Sequence, residues 1–307
     1  MEHKFFAGFI MTYNRAHLLA QTIDQIFLQT RPPSKLLIVD NSDNDETKAL
    51  IAIINNPLIQ YFSVGYNAGP AGAARIGLQM LANEGYQWIY WGDDDDPPTF
   101  NDTFEVLLRG LPVETERVGI VGAVGHYFST YTGEIKRMSD DQLFLTKDSN
   151  PAQFIAVDSI AGNQSMIVNA DVVRAGVLPN KELFFGFEEL DFCLRARAID
   201  FSLSVSSDLF IRARTKYRRL QYKSPLYIKQ KNERMIRQYY STRNLLLILK
   251  ENGFRVAYLY QLVKNLVKSI YGFRYGLSYG IQNANMILIG IFHSITNQFG
   301  EKKAHTL

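Results

Sequence analysis

The chain has 307 residues, 47% of them hydrophobic, with a formal net charge of +3 and a single cysteine, Cys193. That is enough apolar material for one large domain with an appendage, or for two domains, and it rules out an intramolecular disulfide. No apolar run reaches the ~18 residues of a spanning helix, and residues 1–4 lead straight into a strand-like run with no signal peptide, so a reducing, cytoplasmic location is expected.

Phe5 to Thr12 is apolar and β-rich, a first strand. Ala16 to Gln29 has apolar residues at helical spacing (Leu18, Leu19, Ile23, Ile26, Phe27), and Pro32-Pro33 ends it. Lys35 to Val39 is a buried strand that stops at Asp40-Asn41-Ser42-Asp43. Glu46 to Asn55 reads as a helix, Ile59 to Val64 as a third strand, Ala71 to Gly85 as a helix and Gln87 to Trp91 as a fourth strand. Strands alternating with helices predict an α/β fold, a Rossmann-like and mostly parallel sheet flanked by helices. Phe100 to Leu111 is a helix and Val118 to Val124 a strand; from Gly125 to Asp158 the pattern loosens. Ser165 to Asn169 is a short strand, Ala170 to Gly176 a helical turn, Phe187 to Ala198 a helix, and Phe201 to Val205 the last strand of the core. Beyond about Tyr217 the pattern stays helical, with apolar faces at 245–249, 258–267 and 286–292. The expected division is an α/β domain over residues 1–215 and a helical, basic region over residues 216–307.

Four loops close the first four strands. They are Thr12-Tyr13-Asn14-Arg15, the turn at Asp40, a glycine-rich loop with Asn67, Gly69, Gly72 and Arg75, and the acidic run Asp93-Asp94-Asp95-Asp96 before Pro97-Pro98. Singly, each has a plain reading. Asp40 is a turn former, the glycines are turn and packing devices unlike the GxGxxG spacing, and the acidic run is a solvated loop. On a parallel sheet all four share the carboxyl edge, where ligands gather, so they line one cleft. Adjacent like charges need compensation, and Asp93 and Asp95 are spaced to share one hard cation such as Mn2+ or Mg2+. A fifth element, Phe184-Phe185-Gly186-Phe187-Glu188-Glu189-Leu190-Asp191, puts carboxylates at the start of a helix. One of them is placed as a general base, or all of them complement the helix N-terminus; Asp191 and Arg195 have the spacing of a helix ion pair.

The order and content of these motifs resembles the inverting nucleotide-sugar glycosyltransferases of family 2, which have the GT-A fold. The resemblance covers about residues 5–215. It matches the Asp-x-Asp signature to Asp93-Asp94-Asp95 with Pro98 following, the nucleotide-side aspartate to Asp40, and the Asn-x-Gly-x-x-Gly loop to Asn67, Gly69 and Gly72. It matches the acidic pair before a Leu-Arg helix to Glu188-Glu189 and Leu194-Arg195. The resemblance thus implies a donor site of Thr12, Tyr13, Asn14, Arg15, Asp40, Asn67, Gly69, Gly72, Arg75, Asp93 and Asp94, and a metal, Mn2+ or Mg2+, on Asp93 and Asp95. It implies a catalytic pair, Glu188 and Glu189, and an acceptor side with Gly162, Asn163 and Asp191. The second member of the pair is the base in this family and is commonly Asp; here it is Glu189. Many relatives add a His metal ligand after the last core strand, but Asp208 to Arg214 contains none. Water and diphosphate take its place, or Arg212 or Arg214 neutralises the diphosphate directly. Tyr239-Tyr240-Ser241-Thr242-Arg243-Asn244 resembles an element of the rhamnosyl- and galactofuranosyl-transferase branches. That implies a UDP- or dTDP-sugar donor and a lipid-linked glycan acceptor in bacterial cell-surface polysaccharide synthesis.

From Arg212 to Arg237 there are ten Lys/Arg and one acid, Glu233, so this stretch carries +9 and the rest of the chain −6. With amphipathic helices after it, an anionic membrane surface is the expected partner, and the chain is expected to sit peripherally on the inner face of the cell membrane. Tyr217, Tyr222 and Tyr227 interleave with the cations in a way that superficially suits base stacking, but no nucleic acid is expected. A homo-oligomer through the tail is the other reading of that region. Two rivals stand against the transferase. One is a catalytically silent sugar-nucleotide binder or assembly subunit, which the missing His favours. The other is a nucleotidyltransferase, whose Gly-rich basic phosphate loop Met11-Thr12-Tyr13-Asn14-Arg15 does not resemble.

Overall fold

The computed structural model describes residues 4–109, 111, 117–149, 154–162, 165–222, 229 and 235–302. The chain forms two compact units that interleave along the sequence. Unit one comprises Met1–Tyr127, Arg137–Lys181 and Glu189–Gln221; unit two comprises Phe128–Lys136, Glu182–Glu188 and Tyr222–Leu307. The sequence alone places one boundary, after residue 215, and gives no sign of the two excursions at 128–136 and 182–188.

Unit one is built on β1 (Lys4–Thr12), α1 (Ala16–Phe27), β2 (Leu36–Asp40), α2 (Glu46–Ile54), β3 (Ile59–Ser63), α3 (Gly69–Asn83), β4 (Tyr86–Asp93) and α4 (Thr103–Arg109). After these come β5 (Val118–Gly122), β6 (Gly125–Phe128) and β7 (Ile135–Arg137), which flank the 128–136 excursion of unit two, then α5 (Asp140–Ser149), β8 (Phe154–Ala156), β9 (Ser159–Ile160), β10 (Ile167–Asn169) and α6 (Ala170–Arg174). The unit ends with α7 (Glu188–Arg197), β11 (Ser202–Ser206) and α8 (Ser207–Lys216). Strand alternation fixes the two faces of the sheet. β1 sends Phe6 and Ile10 one way and Ala7, Phe9 and Met11 the other; β4 does the same with Trp88 and Tyr90 against Ile89 and Trp91. Leu19, Ile23, Phe104 and Leu107 of α1 and α4 cover the first face, and Leu78, Leu81 and Phe192 of α3 and α7 cover the second. Burial on both faces is why these strands read as continuous apolar runs. Gly77 lets α3 approach: a methyl group there would lie 2.4 Å from the Phe9 ring.

The eight-stranded sheet has the order β3-β2-β1-β4-β10-β5-β11-β8. The first four neighbours are parallel, as the alternating pattern predicts. β10 is antiparallel to both β4 and β5, and β8 is antiparallel to β11. β11 is the last strand in chain order, as expected, and it is internal to the sheet because the earlier β8 lies outside it. The loosened stretch 125–158 holds several short elements, and β6 pairs with β9 through Gly125↔Ile160. Two boundaries also move. α3 starts at Gly69 because Pro70 sits in its first turn, where a missing N–H costs nothing. β4 runs on to Asp93 through Gly92, where any side chain would strike the Tyr90 ring at 2.6 Å.

Unit two contains α9 (Ile236–Glu251), α10 (Arg255–Tyr271) and α11 (Leu277–Ile295). Leu246 of α9 packs with Ile287 and Ile291 of α11. Gly290 permits close contact, since a methyl group there would be 2.9 Å from the Tyr239 carbonyl.

Candidate active site

Register brings the loops together. Thr12 pairs with Asp40, Asp40 with Ser63, and Met11 with Asp93, so the ends of β1 to β4 form one edge. A reversed strand enters from the edge at which its parallel neighbours leave. The chain before β10, which carries Gly162, accordingly joins the same edge.

The first and fourth loops are bolted to each other. Thr12 Oγ1 donates to Asp94 Oδ2 at 2.8 Å, and Thr22 Oγ1 donates to the Asp94 carbonyl at 2.7 Å. Arg15 bridges Asp94 (2.9 Å) and Asp95 (2.6 Å). Asp94 has no exposed side-chain surface, so it is the internal anchor of the run, where sequence expectation made it a donor contact. Asp95 is its exposed neighbour. Asp40 is also enclosed: its carboxylate accepts from the Ser42 N–H and the Tyr61 hydroxyl, both at 2.9 Å. Burial and the bond to Asp40 push the Tyr61 hydroxyl up to about 12. Asn14 takes a positive φ of 53°, which asparagine tolerates, and donates its N–H to Ser42 Oγ; Tyr13 beside it is exposed.

The glycine loop is tied in by Asn41, whose amide donates to the Gly69 carbonyl at 3.2 Å. Asn67 Oδ1 accepts the Gly69 N–H at 3.0 Å, and Gly69 has φ +69°. A methyl group at Gly72 would sit 2.7 Å from Ala68 Cβ, so this glycine serves tight packing of the first helical turn. Arg75 donates to the Pro179 carbonyl at 3.3 Å and so braces the 178–181 segment.

Asp93, the last residue of β4, and Glu189, at the start of α7, are electrostatic neighbours. Burial pushes the Asp93 carboxyl up to about 8, with Glu189 next in effect and Asp94, Asp95 and Asp96 after it. Burial likewise raises Glu189, although its own N–H and that of Gly162 pull against it; the Gly162 N–H reaches Glu189 Oε1 at 3.2 Å. A side chain at residue 162 would be tight: a methyl group would lie 3.0 Å from Glu189 Oε1 and 3.4 Å from Trp91 Nε1, so the Glu189 carboxylate would have to give way. Trp91 Nε1 is buried and has no hydrogen-bond partner among the described residues. It is a donor beside Glu189 that the sequence did not single out, its signal hidden in an apolar strand.

Some expected residues are engaged elsewhere. Asp191 is fully buried and pairs with Arg195 at 2.6 Å, and Arg195 also donates to the Leu178 carbonyl, so Asp191 is a structural helix pair in place of an acceptor contact. Arg212 forms a two-pronged pair with Asp102 at 2.7 and 2.8 Å, and buried Arg214 pairs with Asp140 and the Met138 carbonyl. Both arginines are committed inside unit one, which corrects the expectation that either meets the diphosphate. Asn163 lies outside the described residues, while Glu188 is buried. Among the described residues no group of three or more His, Cys, Asp or Glu is arranged to hold a metal ion.

In unit two, the 182–188 segment that leads into Glu189 is clamped from α9. Asn244 Nδ2 meets the carbonyls of Leu183, Phe185 and Gly186 at 3.0, 2.9 and 2.8 Å. Arg243, fully buried, donates to the Leu183 and Gly300 carbonyls at 2.8 Å. The clamp holds an uncomfortable backbone, since Phe184 and Phe187 take φ +60° and +68°, each costing ~1–3 kcal/mol. Asn244→Ala is therefore expected to destabilise the protein by about 2–4 kcal/mol and to loosen this segment, read as a lower denaturation midpoint with faster amide exchange at 183–187. Unchanged exchange there would mean that the clamp is dispensable.

The family model described as Glycosyl transferase family 2 matches residues 9–169, just over half of the chain. The chain belongs to glycosyl transferase family 2. Its matched stretch is 30% identical over 99 residues to galactofuranosyltransferase GlfT1 of Mycolicibacterium smegmatis, covering 32% of each protein. It is 31% identical over 87 residues to succinoglycan biosynthesis protein ExoO of Rhizobium meliloti, covering 28% of this chain and 24% of that one. The matches thus span about a third or less of the curated relatives. Among solved structures, the family 2 chain resembles a mannosyltransferase, PcManGT of Pyrobaculum calidifontis, in complex with GDP-Man and Mn2+. The TM-score is 0.54 at 10% identity, over 96% of this chain and 88% of that one. It also resembles GalNAc-T7 with UDP, GalNAc and Mn2+, with TM-score 0.53 at 12% identity over 78% and 51%. At those identities the likeness establishes a GT-A glycosyltransferase fold and leaves the chemistry to the residues.

Proposed function

We propose that this family 2 chain moves a sugar, galactofuranose or rhamnose first, from a UDP- or dTDP-sugar to a hydroxyl of a lipid-linked glycan acceptor, inverting the anomeric centre. The observation that carries this is the pairing of a half-buried Asp93 with a desolvated Glu189 at one sheet edge. Four carboxylates, Glu189, Asp94, Asp95 and Asp96, crowd Asp93, and such an excess of negative charge fits a divalent cation. Asp93 and Asp95 would hold Mn2+ or Mg2+, with diphosphate and water completing its shell. That cation would supply neutralisation of charge growing on the leaving diphosphate.

The protein's own residues do the rest. Glu189 takes the proton from the acceptor hydroxyl as its oxygen bonds to the anomeric carbon, and the bond from that carbon to the diphosphate oxygen breaks. The Gly162 N–H holds the Glu189 carboxylate in place. Asp94 and Asp40, each enclosed, fix the loops whose backbone faces the nucleotide, and Arg15 balances the acidic run. An acceptor on a lipid carrier would set the enzyme at the inner face of a cell membrane.

Screening UDP- and dTDP-sugars for protection against thermal unfolding, with Mn2+ present, tests the donor. A cognate donor at ~100 times its Kd adds about 2.7 kcal/mol, a rise of about 4 °C. If no nucleotide sugar raises the midpoint, the donor reading fails. If one does and no transfer follows, the silent binder stands.

A further inference from the structure

Helix α10 is inside out. Every residue exposed between Val256 and Ile270 is apolar or aromatic, and Leu259, Val263, Val267 and Ile270 are 60–73% exposed. The buried positions of the same helix are Ala257, Gln261, Asn265 and Ser269. At 100° per residue the two sets occupy opposite faces, the reverse of a water-facing helix on a globular core. The inward polar groups are satisfied, so the orientation is specified. Gln261 donates to the Thr132 carbonyl at 2.7 Å, Asn265 to the Gln261 carbonyl at 2.8 Å, and Ser269 to the Leu266 carbonyl at 2.7 Å. Turning the helix to hide its valines would break the Gln261 bond to Thr132; the other two lie within the helix and only satisfy its buried polar groups. α11 extends the apolar exterior with Leu277, Ile281, Leu288, Phe292 and Ile295. Apolar surface on this scale marks a contact with something other than water.

Charge selects the occupant. From Arg255 to Gly300 there is no Asp or Glu and there are four cations, Arg255, Lys264, Lys268 and Arg274; only Lys264 meets a carboxylate in the described unit, Glu134 at 2.5 Å. A second copy docked face to face would bring no carboxylate to these cations, since the stretch carries none. An anionic lipid surface offers both an apolar interior and a complementary charge. No described helix is long and apolar enough to cross a membrane, which leaves a helix lying in the interface. We propose that the outward face of α10, continued on α11, is a lipid-contacting surface that seats unit two on an anionic bilayer. This moves the contact away from the basic stretch 212–237, two of whose cations, Arg212 and Arg214, are paired with Asp102 and Asp140.

The inference deepens the membrane setting proposed above, yet its test needs neither donor nor turnover, so the two fail separately. The full chain is floated with vesicles of phosphatidylcholine, alone or mixed with phosphatidylglycerol. The protein is expected to float with the mixed vesicles and less with the neutral ones. The double variant Val263→Asn/Val267→Asn should lose about tenfold in bound fraction. Its thermal midpoint should be unchanged, because both side chains already face outward. Ile53→Asn, at an equally exposed position on α2, should float like the parent. Absence of flotation by the folded parent, or full flotation by the double variant, overturns the proposal. A dimer seen by light scattering in a protein that does not float would assign the face to a second copy and overturn it as well.

Discussion

Glu189→Gln is expected to lower transfer by ~10²–10⁴ while donor affinity stays within about twofold. Glutamine keeps the volume and one oxygen for the Gly162 N–H but cannot accept a proton. Calorimetric titration with the nucleoside diphosphate and a transfer assay read the two quantities separately. The parent's pH profile carries the same information. Burial raises the Glu189 carboxyl, so the basic form that the proposed mechanism requires appears only above the ordinary glutamate range. Transfer should therefore climb with pH along a limb displaced upward from a free glutamate, and the Gln variant should lack that limb. Near-normal transfer by the variant would move the base elsewhere.

Asp93→Asn should push activity and stability in opposite directions. The unfolded chain releases this proton near 3.8, whereas the folded protein holds it up to about 8. Ionised Asp93 therefore favours the unfolded state, and its contribution to stability falls as pH rises across that window. Asparagine removes the penalty, so the metal-free variant should melt several degrees higher than the parent at neutral pH and the gain should fade toward pH 4. Transfer should fall by ~10³, because one of the two carboxylates proposed to hold the cation is gone. A variant that melts lower than the parent at neutral pH would contradict the crowding of charge described above. A site that costs the fold stability is a site kept for its chemistry.

Legibility in the sequence followed the range of the interactions. β1 to β4 and their helices were readable because period-2 and period-3.6 patterning is local, and a parallel sheet then forces their loops to one edge. The direction of β10 was not readable: three residues, Ile167–Asn169, carry no mark of which way they run. The acidic run named the site but not the duties within it. Asp93 and Asp94 are chemically identical, and what separates them is Thr12, Arg15 and Thr22 closing over one of the two. Arg212 looked available until the fold brought Asp102 to it from 110 residues away. The inverted face of α10 was visible as amphipathicity but not as to which side points in, because the polar groups that decide it bond to carbonyls such as that of Thr132.

The interleaving of the two units has a consequence for synthesis. Unit one can gather its donor-side strands as soon as β11 has left the ribosome. The 182–188 segment cannot be fixed then, because Arg243 and Asn244 have not yet been made and Gly300, which meets both Arg243 and Glu182, comes later still. A chain stopped between β11 and α9 would carry Asp40 and the acidic run but an unclamped 182–188 segment. Order of translation thus leaves the 182–188 segment without its clamp until α9 is made, and without the Gly300 contact until the chain is nearly finished.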